Sequence, residues 1–203
     1  MINVTLQVNE IAERIHEMRK HQARMIIAIC GAPASGKSTL AAEVARRLTG
    51  QKCSAAVVPM DGFHLDNAIL QTRGMLARKG APETFDADGF VHMIKRLRAG
   101  GDVAIPVFDR ARDIAIAGAE VILAEGNYLL MDTAPWDRLE PLWDLTVMLD
   151  VPMADLRARL IQRWLSHGLS SPAATRRAES NDIPNAQGVI EHSRPADITL
   201  NRG

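Results

Sequence analysis

The sequence predicts an α/β fold in which a mostly parallel sheet carries helices on both faces. Two observations support this prediction. Short apolar runs alternate with segments of helical periodicity along most of the 203 residues, and such alternation is typical of parallel strands joined by crossover helices. A turn with the spacing G-x-x-x-x-G-K-S also connects the first apolar run to a helical pattern. Strand, turn and helix in that order form the first unit of such a sheet.

The first elements along the chain are a helix and a buried strand. Ile11, Ile15 and Met18 recur at helical spacing with charged residues between them, which predicts an amphipathic helix beside the first strand. The run from Met25 to Cys30 is wholly apolar and suits a strand buried on both faces. Further strands are predicted at 55–59, 103–108, 121–124, 145–149 and 198–200. Helical patterns separate most of them, including 89–98 and 153–165.

The composition favours one compact domain over residues 1–203. Hydrophobic residues make up 47% of the chain and charged residues 24%, which is enough to bury one core, and we find no repeat or linker. The 24 basic and 24 acidic residues cancel. A neutral chain lacks the broad positive field that nucleic acids or membrane surfaces would require, so small anions are the expected partners.

The cysteines and the apolar runs indicate the cellular setting. Cys30 and Cys53 have no metal-ligand spacing, and we expect both to be packing thiols. The sequence contains no N-terminal apolar signal segment and no run near 18 apolar residues. We therefore expect a reducing, cytoplasmic location without membrane attachment. The sequence leaves open whether the chain forms a homodimer.

Residues 31–38 have the spacing of a phosphate-binding loop, or P-loop. The glycines allow a tight turn that brings backbone N–H groups against phosphates, Lys37 reaches the β- and γ-phosphates, and the Ser38 hydroxyl is placed to ligate Mg²⁺. The predicted nucleotide-binding residues are Gly31, Ala32, Pro33, Ala34, Ser35, Gly36, Lys37, Ser38 and Thr39.

An acidic residue directly follows the second predicted strand. Asp61 could accept the proton of an attacking hydroxyl or hold the water shell of the metal, and it is our candidate general base. The alternative is that Asp61 only begins an Asx-type turn before Gly62. His64 could contact the substrate, or it could orient Asp61 or simply pack.

Two more polar segments follow at the expected edge of the sheet. Glu125 ends an apolar run and is predicted to orient water around the Mg²⁺ ion that Ser38 ligates, the alternative being a solvated glutamate. The loop over 78–86 mixes both charge signs with Phe85, which is typical of a recognition loop for a small polar molecule. Its candidate substrate-binding residues are Arg78, Lys79 and Phe85.

Five segments, in this order, resemble a known group of enzymes: the P-loop kinases that include phosphoribulokinase, uridine kinase and bacterial pantothenate kinase. The segments are 31–38, 60–63, 78–86, 106–109 and 125–126, within a resemblance over roughly residues 24–200. The chain looks most similar to bacterial proteins labelled as nucleoside or sugar kinases, some described as fructose-transport-system kinases. The resemblance implies a three-layer P-loop NTPase fold with a mobile lid, ATP and Mg²⁺, and Asp61 as the base for transfer to a hydroxyl.

One segment departs from the pattern of that group. Pantothenate kinases carry Ser-His after the corresponding strand, and uridine kinases carry a His followed two residues on by Arg. This chain instead has Asp109-Arg110-Ala111-Arg112-Asp113. Arg110 or Arg112 could bind a carboxylate or phosphate of the substrate, or could only pair with the neighbouring aspartates. The departure weakens the case for pantothenate or a nucleoside as the acceptor.

A helix followed by a polar break predicts a lid over approximately residues 155–180. The apolar stripe of the helix consists of Leu156, Leu160 and Trp164. Arg159 and Arg163 lie four residues apart on another stripe, so the helix could present two guanidinium groups together. We expect Arg163 to balance charge on the transferred phosphate, the alternative being a solvated arginine face. Beyond the lid, a turn-rich stretch at 181–185 is predicted, with Asn185 capping a short helix over 186–192. The sequence leaves open whether Asn185 instead contacts the substrate or the nucleotide.

Together these residues predict a small-molecule kinase. It would transfer the γ-phosphate of ATP to a hydroxyl of a small polar metabolite, such as a sugar, a nucleoside-like molecule or a carboxylate-bearing alcohol. The competing hypothesis is a nucleotide-binding regulatory protein with the same frame and no transfer. The presence of Asp61 favours the enzyme.

Overall fold

The computed structural model describes residues 4–20, 22–100, 102–106, 114–116 and 118–202. The strands are β1 Met25–Gly31, β2 Ala55–Pro59, β3 Val103–Ile105, β4 Ile114–Ile116, β5 Val121–Gly126, β6 Leu145–Asp150 and β7 Ile198–Asn201. The helices are α1 Val4–Arg19, α2 Lys37–Gly50, α3 Asn67–Thr72, α4 Ala87–Arg98, α5 Met153–Ser166, α6 Ser171–Arg177 and α7 Ile183–His192. Short 3₁₀ helices at Met60–Phe63, Leu76–Arg78, Pro82–Thr84 and Trp136–Leu142 complete the connections, with a π-helical turn at Ala178–Asp182.

The main sheet has five strands in the order β2-β5-β1-β6-β7, and every neighbouring pair is parallel. Strand β1 lies at the centre and all seven of its residues are buried. A central parallel strand is covered on both faces, which explains its unbroken apolar sequence. The predicted parallel α/β architecture is confirmed.

Alternate residues of β1 enter two separate cores because side chains alternate across a strand. On one face Ile27 and Ile29 pack with α2 and with Ile11 and Ile15 of α1. This confirms the amphipathic helix predicted at the start of the chain. On the other face Ile26 and its neighbours pack with α4 and with aromatic side chains of the connections. The three layers therefore follow directly from the apolar pattern.

Of the run predicted as a strand over 103–108, the structure describes residues 103–106, and these do not join the parallel sheet. Strand β3 is only three residues long and pairs antiparallel with β4 as a separate two-stranded unit. Val103 and Ile105 are buried while Ala104 between them is exposed, which is the alternation of a strand with one covered face. Positions 107–113, which include Arg110 and Arg112, lie outside the described residues.

The prediction of a turn-rich stretch at 181–185 is wrong. Helix α6, the π turn and α7 follow one another without a break from Ser171 to His192. Pro184 falls in the first turn of α7, next to the π turn, where the loss of its N–H donor is tolerated. Asn185 is consequently a residue of the helix rather than its N-cap.

Both cysteines are buried and free, as predicted. Burial raises the pKa of the Cys30 thiol to about 11, so Cys30 stays protonated, and its Sγ donates to the backbone carbonyl of Asn127 over 3.2 Å. None of the described helices is long and apolar enough to span a membrane.

Candidate active site

The carboxyl ends of three neighbouring strands bring the predicted site residues to one edge of the sheet. In the strand register, Glu125 of β5 lies beside Ile29 of β1 on one side and Pro59 of β2 on the other. The P-loop begins two residues after Ile29, and Asp61 comes two residues after Pro59. Parallel pairing, rather than proximity in sequence, therefore places the two segments around Glu125.

The P-loop has the closed shape that its glycines predict. A Cβ on Gly31 would lie 2.6 Å from Ser35 Oγ, and Gly36 has a φ of +93°, so neither position accommodates another residue without rearrangement. Helix α2 begins at Lys37, directly after the loop. Its first N–H groups lack partners within the helix and form an anion-binding end. Ser35 is 1% exposed and its hydroxyl has no partner among the described residues, which fits a loop built around a phosphate.

Glu125 is a buried carboxylate at the centre of the site. Burial raises its pKa, and the negative charge of Asp61 adds to this, while Lys37 and a hydrogen bond from the Ser38 hydroxyl act in the opposite direction. Only 6% of Glu125 is exposed. Glu125 and Ser38 thus offer the hard oxygen atoms that Mg²⁺ prefers.

The rest of a magnesium shell would come from water and phosphate oxygens. Among the described residues, no group of three or more His, Cys, Asp and Glu side chains could hold a metal by itself. Mg²⁺ in nucleotide sites is usually held by one or two protein ligands plus substrate phosphates, so a pair of ligands fits such an ion.

A cavity of about 340 Å³ opens next to the P-loop. Its wall consists of Pro33, Asp61, His64, Lys79, Gly80, Phe85, Asn127, Arg163, Trp164, Arg177, Asp182 and Asn185. Six stretches of the chain contribute to it: 33, 61–64, 79–85, 127, 163–164 and 177–185. The predicted site residues that are brought together here are Pro33, Asp61, His64, Lys79, Phe85 and Arg163.

His64 is held between Asp61 and Phe85. Its Nδ1 lies 2.9 Å from the Asp61 carbonyl oxygen, and its ring centre is 3.9 Å from that of Phe85. Burial lowers the pKa of His64, although the nearby Asp61 opposes this shift. A neutral imidazole that hydrogen-bonds the main chain of Asp61 can orient that residue and still face the cavity.

Hydrogen bonds connect the loop before Phe85 to two other parts of the site. Asn181 of the π turn donates to the Lys79 carbonyl over 2.9 Å, and the Tyr128 hydroxyl donates to the Gly80 carbonyl. Arg78 lies outside the cavity wall, where its guanidinium group donates to Glu83 over 2.9 Å. The structure therefore places Lys79 at the cavity and Arg78 outside it.

The two arginines of the predicted lid occupy different places. Arg163 reaches the cavity wall, whereas Arg159 lies at the rim of the P-loop with its Nη1 3.4 Å from the Ala34 carbonyl oxygen. Trp164 donates to Asp182 and lies 5.2 Å from the guanidinium carbon of Arg177, measured from its ring centre. Lid movement remains a prediction.

Six residues of the cavity wall were not among the predicted site residues: Gly80, Asn127, Trp164, Arg177, Asp182 and Asn185. The sequence could have indicated Asn127 as a site residue, since it follows Glu125 and Gly126 at the end of a strand. The sequence gives no such indication for Asn185, because its direction depends on the π turn that precedes α7. Asn185 is 6% exposed and lies in the cavity wall.

Gly126 is required by the close approach of β5 to the segment that carries Asp61. A Cβ at this position would lie 2.6 Å from the Cβ of Met60. We expect Gly126→Ala to displace Met60 and to lower the free energy of unfolding by about 1–3 kcal/mol, measured by urea denaturation. The matched control is Gly188→Ala in α7, where nothing lies within 4 Å. Gly188→Ala should instead raise the free energy of unfolding by about 0.5–1 kcal/mol. Equal stability of Gly126→Ala and the wild type would contradict the prediction.

The fold and the site together define a P-loop protein of the kinase class, with a parallel sheet, a phosphate loop and a carboxylate at a neighbouring strand end. The sequence pattern of the Phosphoribulokinase / Uridine kinase family matches residues 26–171, and the chain belongs to that family. It is a member of the group of kinases that the sequence resemblance indicated.

Three individual proteins show the range of similarity. A crystal structure described as a "putative fructose transport system kinase" from Silicibacter sp. TM1040 is 47% identical, with a TM-score of 0.87, and the match covers 98% of this chain and 100% of that one. A "putative uridine kinase" of Schizosaccharomyces pombe is 34% identical over 95% of this chain and 89% of its own length. A pantothenate kinase of Mycolicibacterium vanbaalenii is 30% identical over 70% of this chain and 48% of its own. These names differ in the substrate that they specify.

Proposed function

We propose that the chain transfers the γ-phosphoryl group of ATP to a hydroxyl group of a small polar metabolite. The observation that carries this proposal is that Asp61 shares one cavity with Pro33 of the P-loop and Arg163 of α5. A carboxylate, a phosphate loop and a cation facing one enclosed space are the parts that phosphoryl transfer requires. Membership of a kinase family supports the same reaction class.

The proposed reaction assigns one task to each of these residues. The acceptor hydroxyl oxygen forms a bond to the γ-phosphorus, the bond from that phosphorus to the β–γ bridging oxygen breaks, and ADP leaves. Asp61 accepts the hydroxyl proton. Lys37 and Arg163 balance the negative charge on the phosphate oxygens during transfer.

Magnesium would be held by Ser38 and Glu125, where it would neutralise phosphate charge and orient the phosphate chain. This assignment rests on the hydrogen bond between the two side chains and on the burial of Glu125. The carboxylate form of Glu125 is the ligand. Because the folded protein raises the pKa of Glu125, metal binding should weaken as the pH falls towards that raised pKa.

The chemistry of the cavity wall indicates the class of acceptor. Arginine, lysine and two carboxamides provide polar contacts, and Phe85 with His64 provides one flat, largely apolar surface. Such a wall suits a molecule with several hydroxyl groups or with a carboxylate, including sugars, nucleosides and acidic alcohols. A volume of about 340 Å³ suits a small metabolite.

A coupled assay of ADP release tests the proposal. The purified protein is given ATP and Mg²⁺ with sugars, nucleosides, glycerate or pantothenate in turn, and Asp61→Asn serves as the control. Acceptor-dependent ADP release that is lost in the variant supports a kinase. Equal, slow ATP turnover by both proteins with every acceptor would instead support the nucleotide-binding regulatory protein.

Asn185 is proposed to hydrogen-bond the acceptor. We expect Asn185→Ala to raise the KM for the acceptor about three- to tenfold, the effect of losing one hydrogen bond, with ATP affinity nearly unchanged. Gln187→Ala, on the same helix but exposed and bonded to Glu191, is the matched control and should change neither value. A parallel loss of ATP affinity in Asn185→Ala would contradict a contact that is specific to the acceptor.

A further inference from the structure

Arg202 lies beside the P-loop although it is 165 residues beyond Lys37 in the chain. It directly follows β7, and its backbone N–H donates to the Asp150 carbonyl over 2.7 Å, which fixes it at the carboxyl edge of the sheet. Its Nη1 lies 3.7 Å from the position that a Cβ on Gly36 would take. Neither the sequence motifs nor the proposed reaction uses this residue.

The guanidinium group of Arg202 has two unsatisfied donors. Nε and Nη2 are both buried and have no hydrogen-bond partner among the described residues. These two nitrogens form one side of the planar guanidinium fork, the side that can donate two parallel hydrogen bonds. Buried donors without acceptors are costly, so a built-in pair of this kind indicates an acceptor that arrives with a ligand.

A second cation stands close to the first. Arg159 of α5 touches the P-loop at the Ala34 carbonyl, and its positive charge contributes, after burial, to lowering the pKa of Arg202. In the part of the chain that the structure describes, neither arginine forms an ion pair with an acidic side chain. Two neighbouring like charges destabilise the empty protein unless an anion or a polarisable ring comes between them.

We propose that Arg202, together with Arg159, binds the nucleotide beside the P-loop, in addition to the backbone N–H groups of the loop. The positions beside Gly36 and Ala34 place both guanidinium groups on the outer rim of the loop, whereas Lys37 and Arg163 serve the phosphate that is transferred. A guanidinium group can meet a phosphate oxygen through its fork or a purine ring through its flat face. The proposal rests on the proposed function, since it requires a nucleotide in the P-loop.

The test measures nucleotide binding by calorimetry, with ATP and with inorganic triphosphate as separate probes. We expect Arg202→Gln to weaken ATP binding about ten- to a hundredfold, and Arg202→Lys, which keeps the charge without the fork, to weaken it less. The matched control is Arg46→Gln on α2, whose exposed side chain is already paired with Glu43. It should bind ATP as the wild type does.

Thermal unfolding separates binding from a structural role. Without nucleotide, Arg202→Gln should unfold at the wild-type temperature or slightly above it, because two buried donors that lack acceptors have been removed. The weaker binding of ATP by Arg202→Gln should appear only as a smaller rise in unfolding temperature when ATP is added. If Arg202→Gln binds both ATP and inorganic triphosphate more weakly, Arg202 contacts the phosphates. If it binds only ATP more weakly, Arg202 contacts the nucleoside. Either result supports the proposal.

Two other results have different meanings. Wild-type ATP affinity in Arg202→Gln, or a lower unfolding temperature in the absence of nucleotide with no change in affinity, would overturn this inference alone. Failure of the wild-type protein itself to bind ATP would overturn the inference together with the proposed function.

Discussion

Replacing Asp61 with asparagine should lower kcat for phosphoryl transfer about 10²- to 10⁴-fold, which is the usual contribution of a general base. The amide is nearly the same size as the carboxylate but accepts no proton, so the cavity should keep its shape. ATP affinity should stay close to the wild-type value, because Asp61 is not part of the P-loop that binds the phosphates. Steady-state kinetics with the acceptor found by the ADP-release screen, together with calorimetry for ATP, check both expectations.

A second aspartate provides the control for Asp61. Asp88 is exposed on α4 and paired with Arg138, away from the cavity. Asp88→Asn removes a carboxylate without touching the site and should retain full activity. If Asp61→Asn kept wild-type kcat with its preferred acceptor, the proton would have to leave by another route and Asp61 could not be the base.

Replacing Lys37 with methionine should lower kcat/KM about 10²- to 10³-fold, as expected when a charge that stabilises the transition state is removed. Methionine fills much of the same volume, so the loop should keep its conformation. Unlike Asp61→Asn, this variant should also weaken ATP binding, because Lys37 faces the phosphates throughout the reaction. Lys95→Met, an exposed position on α4, serves as the control.

The same variant has a consequence for the pH dependence. The charge of Lys37 opposes the upward shift of the Glu125 pKa. Without Lys37 that pKa should rise further, so a larger fraction of Glu125 is protonated at a given acidic pH. The acidic limb of the kcat/KM profile should therefore move to higher pH in Lys37→Met. A limb that stays in place would show that Glu125 does not ligate the metal in its ionised form.

The fold could be predicted in outline because its determinants are local and periodic. Each strand of the main sheet corresponds to an apolar run, and α1, α4 and α5 correspond to helical patterns in the sequence. The exception was the apolar run predicted over 103–108, of which residues 103–105 form a short antiparallel pair. Apolar composition specifies that a strand is buried but does not specify its partner.

Sequence alone determined the residues that occupy contiguous motifs: the P-loop, the acid after β2 and the acid that ends β5. Their positions depend on backbone conformation within a few residues and on the rule that parallel strands end at one edge. Only the tertiary structure decided which side chains complete the cavity and the rim of the loop. Asn185 faces the cavity because a π turn sets the direction of α7, and Arg202 reaches Gly36 because β7 pairs with β6. Helix direction and strand order arise from packing across the whole chain, and no spacing within a single segment encodes them.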